Sequence, residues 1–139
     1  MSGKESENHI ENKKSLADAK GSIIEKLHPS DCRVLVQRFS GESLPEIPPC
    51  VSRLVILDVR TPQEYSSGHL KDSINLDFRS PSFLDELARL DRNNVYLVYC
   101  RTGIRSGRCV QHMGSMGFRY LYDMAGGLIE WRRVGYEVV

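Results

Sequence analysis

The chain has 139 residues, 40% of them hydrophobic and 27% charged, and a formal net charge of +1. That length suits one domain with its own core, and the near-zero charge excludes a global field that recruits nucleic acid or an anionic membrane. No apolar run reaches the ~18 residues of a membrane-spanning helix, and the polar start MSGKESENHIENKK lacks the apolar stretch of a secretory signal, so a cytoplasmic location is expected.

Residues 1–15 hold almost nothing apolar and are expected to form a disordered tail, with 16–139 as a single domain. After Ile23, Ile24 and Leu27, the string Pro29-Ser30-Asp31 predicts a helix start with Ser30 as N-cap, continued by Val34, Leu35, Arg38 and Phe39. Three prolines (Pro45, Pro48, Pro49) predict a loop over 41–49. The run Leu54-Val55-Ile56-Leu57, ending in Asp58, predicts a strand buried on both faces. A helical turn over 64–68 and a short strand over 73–76 follow. Ser82 stands as N-cap before Phe83, Leu84, Leu87 and Leu90, which share one helical face. Val95-Tyr96-Leu97-Val98-Tyr99 is the most strand-like segment and runs directly into Cys100. Cys109, Val110, Met113 and Met116 then mark a helix that Gly117 ends, Tyr120-Leu121-Tyr122 a strand, and Leu128, Ile129 and Trp131 a last helix stopped by Gly135. Alternating strands and helices predict an α/β layer fold with a mostly parallel sheet, whose ligand site lies at the C-terminal ends of the strands. Asp58 and Cys100 both stand at such ends.

The chemistry concentrates in Tyr99-Cys100-Arg101-Thr102-Gly103-Ile104-Arg105-Ser106. A cysteine between a buried strand and a helix is expected to receive consecutive backbone N–H groups of the loop and the positive end of the helix. With Arg101 and Arg105 nearby, these groups favour thiolate over thiol, so the pKa of Cys100 is expected to fall. Gly103 lets the loop curl, and Ser106 is expected to cap the following helix. The other cysteines, Cys32, Cys50 and Cys109, form no C-x-x-C pair and no zinc spacing, so thiols and no metal are expected. Cys109 falls on the apolar stripe of its helix and reads as core.

The segment 98–106 resembles the active-site loop of rhodanese-domain sulfurtransferases. Leu57-Asp58-Val59-Arg60-Thr61, Glu64-Tyr65, Gly68-His69-Leu70 and Ser73-Ile74-Asn75-Leu76 resemble that family's upstream signature, and Gly117-Phe118, Ala125-Gly126-Gly127-Leu128, Trp131 and Gly135-Tyr136 its C-terminal one. The resemblance implies a rhodanese-like three-layer fold, with the central sheet flanked by helices. It implies an enzyme that takes sulfane sulfur from a donor such as thiosulfate onto Cys100 and passes the persulfide sulfur to cyanide or a cellular thiol, small or on a protein, with no cofactor. Arg101, Thr102, Gly103, Ile104 and Arg105 are the expected substrate-binding loop, and Asp58, Arg60 and Ser106 its supports.

Arg105 offers an anionic donor a planar fork, or else pairs with a surface acid. Arg101 faces either donor or solvent, and Asp58 and Arg60 either support the loop or form a structural ion pair. His69 reads as a packing or hydrogen-bonding residue rather than a base. Two other functions stand beside sulfur transfer. A cysteine-dependent phosphatase of the same superfamily is disfavoured because only four residues separate Cys100 from Arg105, a small cradle for phosphate oxygens. A non-catalytic binding module is disfavoured because Cys100 and both arginines are present.

Overall fold

The computed structural model describes residues 21–39 and 53–139. The expected tail, the Pro-rich loop over 41–49 and Cys50 lie outside the described residues. The elements run β1 (Ile23–Leu27), α1 (Pro29–Phe39), β2 (Leu54–Asp58), α2 (Pro62–Ser66), β3 (Ile74–Asn75), α3 (Phe83–Ala88), β4 (Val95–Tyr99), α4 (Ile104–Ser115), β5 (Tyr120–Met124) and α5 (Gly127–Arg133). Every strand pair is parallel, in the order β1-β5-β4-β2-β3. Parallel neighbours need crossovers, and the helices supply them on both faces of the sheet.

Side-chain alternation along the strands divides the core in two. Ile56, Leu97, Tyr99, Tyr122 and Met124 face α1 and α5, where they meet Cys32, Leu35, Leu128 and Trp131. Val55, Leu57, Tyr96, Val98 and Leu121 face α3 and α4, where they meet Phe83, Leu87, Cys109, Val110 and Met113. This is the expected three-layer α/β fold. All five residues of central strand β4 are buried, so Cys100 leaves the sheet from its most buried strand. Among the described residues, no helix is long and apolar enough to cross a membrane.

The expected starts of four helices need correction, and in α3 Leu84 is exposed while Leu90 lies beyond the helix end. Helix α1 starts at Pro29, not after Ser30. His28 caps it, its Nδ1 accepting from the Ser30 N–H at 3.1 Å, while Pro29 occupies a first-turn position where its missing N–H costs nothing. The turn expected over 64–68 begins earlier, at Pro62, because Thr61 and Glu64 form a capping box. Ser82 precedes α3 but makes no side-chain cap; its hydroxyl donates to Glu86 at 2.8 Å. Ser106 lies within α4 rather than capping it, since the helix begins at Ile104.

Candidate active site

Cys100 is the first residue after β4, and α4 starts four residues later. The intervening turn is tight because Gly103 takes φ +108°, a left-handed conformation that a side chain disfavours. The turn folds the start of α4 back over the sulfur. Cys100 Sγ accepts the Gly103 N–H at 3.0 Å and the Ser106 N–H at 3.4 Å, with the Ser106 hydroxyl at 3.5 Å. The amides that reach the sulfur are thus those of Gly103 and Ser106 rather than a consecutive run. Both belong to the orphan donors of a helix N-terminus, a place suited to negative charge. The Ser106 hydroxyl also lies 3.2 Å from the Gly103 carbonyl, which pins the turn. Cys100 is only 1% exposed, while Arg101, Thr102 and Ile104 are exposed above it.

Arg105 does not hold its fork open. Its Nη1 and Nη2 donate to Glu64 Oε1 and Oε2 at 2.7 and 3.1 Å, a bidentate pair between α4 and α2. The same Glu64 accepts from the Thr61 backbone N–H at 3.0 Å, closing the capping box. Sequence reasoning assigned Glu64 no role, although Thr61-Pro62-Gln63-Glu64 carries the capping-box spacing that marks it.

The Arg105 guanidinium holds the Glu64 carboxyl down at about 2. A lowered folded value stabilises the protein above the ordinary carboxylate range, and that stabilisation disappears as pH falls from about 4.3 toward 2. Glu64→Gln should therefore lower the melting temperature at neutral pH by about 3–6 °C, for about 1–2 kcal/mol after discounting for solvent screening. The gap to wild type should close near the bottom of that window. Thermal denaturation across the acid range checks this; a gap that does not change with pH would assign the loss to the helix cap alone.

Asp58 and Arg60 form a buried structural pair behind the loop. Arg60 Nη2 donates to Asp58 Oδ2 at 2.6 Å and to the Gly68 carbonyl at 2.7 Å, and its Nε reaches both Asp58 oxygens at 3.0 Å. The pair ties the end of β2 to the turn after α2. Asn75 adds to this brace, donating to the Asp58 and Arg60 carbonyls. His69 stacks on Tyr65 at 3.7 Å, and its Nδ1 lies 2.9 Å from the Tyr65 carbonyl.

The β5–α5 turn closes the other side of the loop. The Leu128 N–H donates to the Cys100 carbonyl at 2.9 Å and the Ile129 N–H to the Arg101 carbonyl at 3.1 Å. Gly127 makes this approach possible, since a Cβ there would collide with both carbonyls. A cavity beside the loop is lined by Arg60, Glu64, Ser67, Arg101, Leu128, Ile129 and Arg132. Burial pushes the Cys32 thiol up to about 12 and the Cys109 thiol higher still, so neither competes with Cys100 as a nucleophile. Among the described residues, no group of three or more His, Cys, Asp or Glu side chains is placed to hold a metal ion.

The chain is similar in sequence and fold to known proteins. The chain is 31% identical over 112 residues to the adenylyltransferase and sulfurtransferase uba4 of Ogataea parapolymorpha, covering 81% of this chain but only 25% of that protein. It is 29% identical over 106 residues to a sulfurtransferase of Allochromatium vinosum, covering 76% of this chain and 96% of the relative. It is 33% identical over 79 residues to the thiosulfate sulfurtransferase GlpE of Coxiella burnetii, covering 57% of this chain and 72% of the relative. Among solved structures, a rhodanese-related protein of Thermoplasma volcanium superposes with a TM-score of 0.66 at 25% identity, covering 83% of this chain and 97% of that one. The model of the rhodanese-like domain matches residues 48–133, and the chain belongs to that family.

Proposed function

We propose that this protein is a sulfurtransferase that carries sulfane sulfur as a persulfide on Cys100, from a thiosulfate-type donor to cyanide or a thiol. The observation that carries this reading is the sulfur itself: a nearly buried Cys100 Sγ held by two backbone N–H groups and one hydroxyl at the start of α4. The names of the relatives in Allochromatium vinosum and Coxiella burnetii support it.

The reaction is two displacements at sulfur. The Cys100 thiolate attacks the terminal sulfur of thiosulfate; the new S–S bond forms as the bond to the sulfonate sulfur breaks, and sulfite leaves with the electron pair. The persulfide anion takes the place of the thiolate before the same donors. An acceptor, cyanide or a thiolate, then attacks the outer sulfur, and Cys100 regains its electron pair as thiolate. Narrow access suits a donor that presents a single terminal sulfur atom. Its oxyanion end is left at the rim, where Arg101 and Arg132 are exposed and have no carboxylate partner among the described residues.

The direct test is intact-protein mass spectrometry. Thiosulfate should add one sulfur atom to the protein, localised to the Cys100 peptide, and cyanide should remove it. Failure of Cys100 to gain that mass would sink the reading.

The pairing of Arg105 with Glu64 changes what Arg105→Ala should do. Because its fork is already engaged, the variant should lose sulfur uptake from thiosulfate and from a neutral persulfide alike, through a displaced loop. Arg101→Ala should instead lose about tenfold with thiosulfate and little with the neutral donor, the effect of one charge-assisted hydrogen bond. Comparing kcat/KM for the two donors checks both. A selective thiosulfate loss in Arg105→Ala would restore Arg105 as the donor-binding arginine.

A further inference from the structure

Behind the candidate site lies a carboxyl group with no role in the scheme above. Asp123 sits on β5, 2% exposed, and its Oδ1 has no hydrogen-bond partner among the described residues. An unpaired buried carboxyl oxygen is costly, so its presence calls for an explanation. The Ser106 side chain is the neighbouring hydrogen-bonding group that bears on this carboxyl. Its Oδ2 would be 3.6 Å from a Cβ on Gly107, so the bare first turn of α4 packs directly on it. Ser106 is itself fully buried, with its hydroxyl 3.5 Å from Cys100 Sγ and 3.2 Å from the Gly103 carbonyl. One serine hydroxyl thus stands between the carboxyl and the reacting sulfur.

A serine hydroxyl has one hydrogen to give and can also accept. The sulfur, the Gly103 carbonyl and an ionised Asp123 would all compete for that hydrogen. A protonated Asp123 changes the competition, because it becomes the donor and leaves the serine hydrogen free. We propose that Asp123 is a positioning residue, its carboxyl donating to Ser106 Oγ so that the Ser106 hydroxyl points its hydrogen at Cys100 Sγ. This inference rests on the sulfur-transfer reading and adds a third donor, under the control of β5, to the two loop amides.

The surroundings favour the protonated carboxyl over the ionised one. Burial raises the Asp123 carboxyl above its ordinary range, outweighing the Ser106 hydrogen bond and the charge of Lys26. Lys26, its register partner on β1, is exposed and therefore screened. On β4 the register partner is apolar Val98. Besides Cys100 itself, the thiols of Cys109 on α4 and Cys32 on α1 sense the Asp123 charge, and burial holds both neutral. When Asp123 does ionise, it reclaims the serine hydrogen and sets a negative charge behind the sulfur anion.

The test uses the full chain with Ser106→Ala, Asp123→Ala, their double variant and Asp123→Asn. Two rates are read: kcat/KM for thiosulfate with cyanide as acceptor, and alkylation of Cys100 by iodoacetamide, followed by peptide mass spectrometry. Ser106→Ala and Asp123→Ala should each slow both rates about tenfold, the effect of one hydrogen bond to an anion, and the double variant should lose no more than either single. Asp123→Asn keeps an N–H donor toward Ser106 and cannot ionise. It should stay within about twofold of wild type at neutral pH, since its hydrogen bond is preserved, and its rate relative to wild type should climb as pH rises. Losses that multiply in the double variant, an asparagine variant as impaired as the alanine, or a ratio independent of pH would each overturn the proposal. If wild type gains no sulfur at all, the sulfur-transfer reading fails, yet the alkylation series still reports whether Asp123 acts through Ser106. The near-isosteric asparagine variant covers the case in which Asp123→Ala fails to fold.

Discussion

Cys100→Ser should reduce thiocyanate production from thiosulfate and cyanide to background, a loss of at least about a thousandfold, while the protein stays folded. A serine oxygen would sit in the same nest, within reach of the Gly103 and Ser106 amides. Ordinary alcohols, however, do not ionise near neutral pH, and a helix N-terminus and two amides supply only a few kcal/mol toward an anion. The remaining deficit is several powers of ten in nucleophile, at about 1.4 kcal/mol each. No other described cysteine replaces it, because burial keeps the Cys32 and Cys109 thiols protonated. Cys32→Ser and Cys109→Ser should accordingly retain transfer, and they serve as controls. The change from sulfur to oxygen removes little volume from a site that is already polar on one side, so the melting temperature should fall by no more than about 5 °C. Residual turnover by Cys100→Ser at a tenth of the wild-type rate would mean that another residue carries the sulfur.

How much of this was legible in the sequence depends on whether the signal is local. Strands β2 and β4 were plain because parallel strands buried on both faces read as unbroken apolar runs. The Cys100 loop was plain because its donors, its turn glycine and its nucleophile are neighbours in the chain. Strand β1 was harder: Ile23-Ile24-Glu25-Lys26-Leu27 is short and mixed, and pairing with β5 at the edge of the sheet makes it a strand. The start of α1 was misplaced by two residues because a histidine, not a serine, caps it. Arg105 could be given its partner only through space, since Glu64 approaches across α2 and α4 from a helix remote in sequence. Asp123 is the extreme case. Within Tyr-Leu-Tyr-Asp-Met it looks like the polar end of a strand, and only the register of β5 against β1 and β4 buries it beneath Ser106.

Gly127→Ala should be the most damaging of the glycine substitutions, lowering the melting temperature by about 6–15 °C and sulfur uptake by about a hundredfold. Two independent penalties add at this position. The residue holds φ +64°, a left-handed conformation that costs a side chain about 1–2 kcal/mol. Its new Cβ would also run into the Cys100 and Arg101 carbonyls, backbone atoms that cannot swing aside as a side-chain tip would. Overpacking of that kind costs about 1–3 kcal/mol, and the sum corresponds to the stated temperature shift for a chain of this length. The activity loss follows from which atoms must move. The same carbonyls accept the Leu128 and Ile129 amides, so relieving the clash pulls the Cys100 loop off α5 and misplaces the sulfur against its donors. A displacement near 1 Å is worth about a hundredfold in rate. Gly117→Ala isolates the first penalty. Gly117 also has positive φ, at +93°, but a Cβ there meets nothing within 4 Å, so it should lose stability modestly and keep its sulfur uptake. Thermal denaturation and thiosulfate kinetics on the two variants separate backbone strain from collision with the loop. Equal losses in both would mean that the contact between α5 and the loop does not hold Cys100 in place.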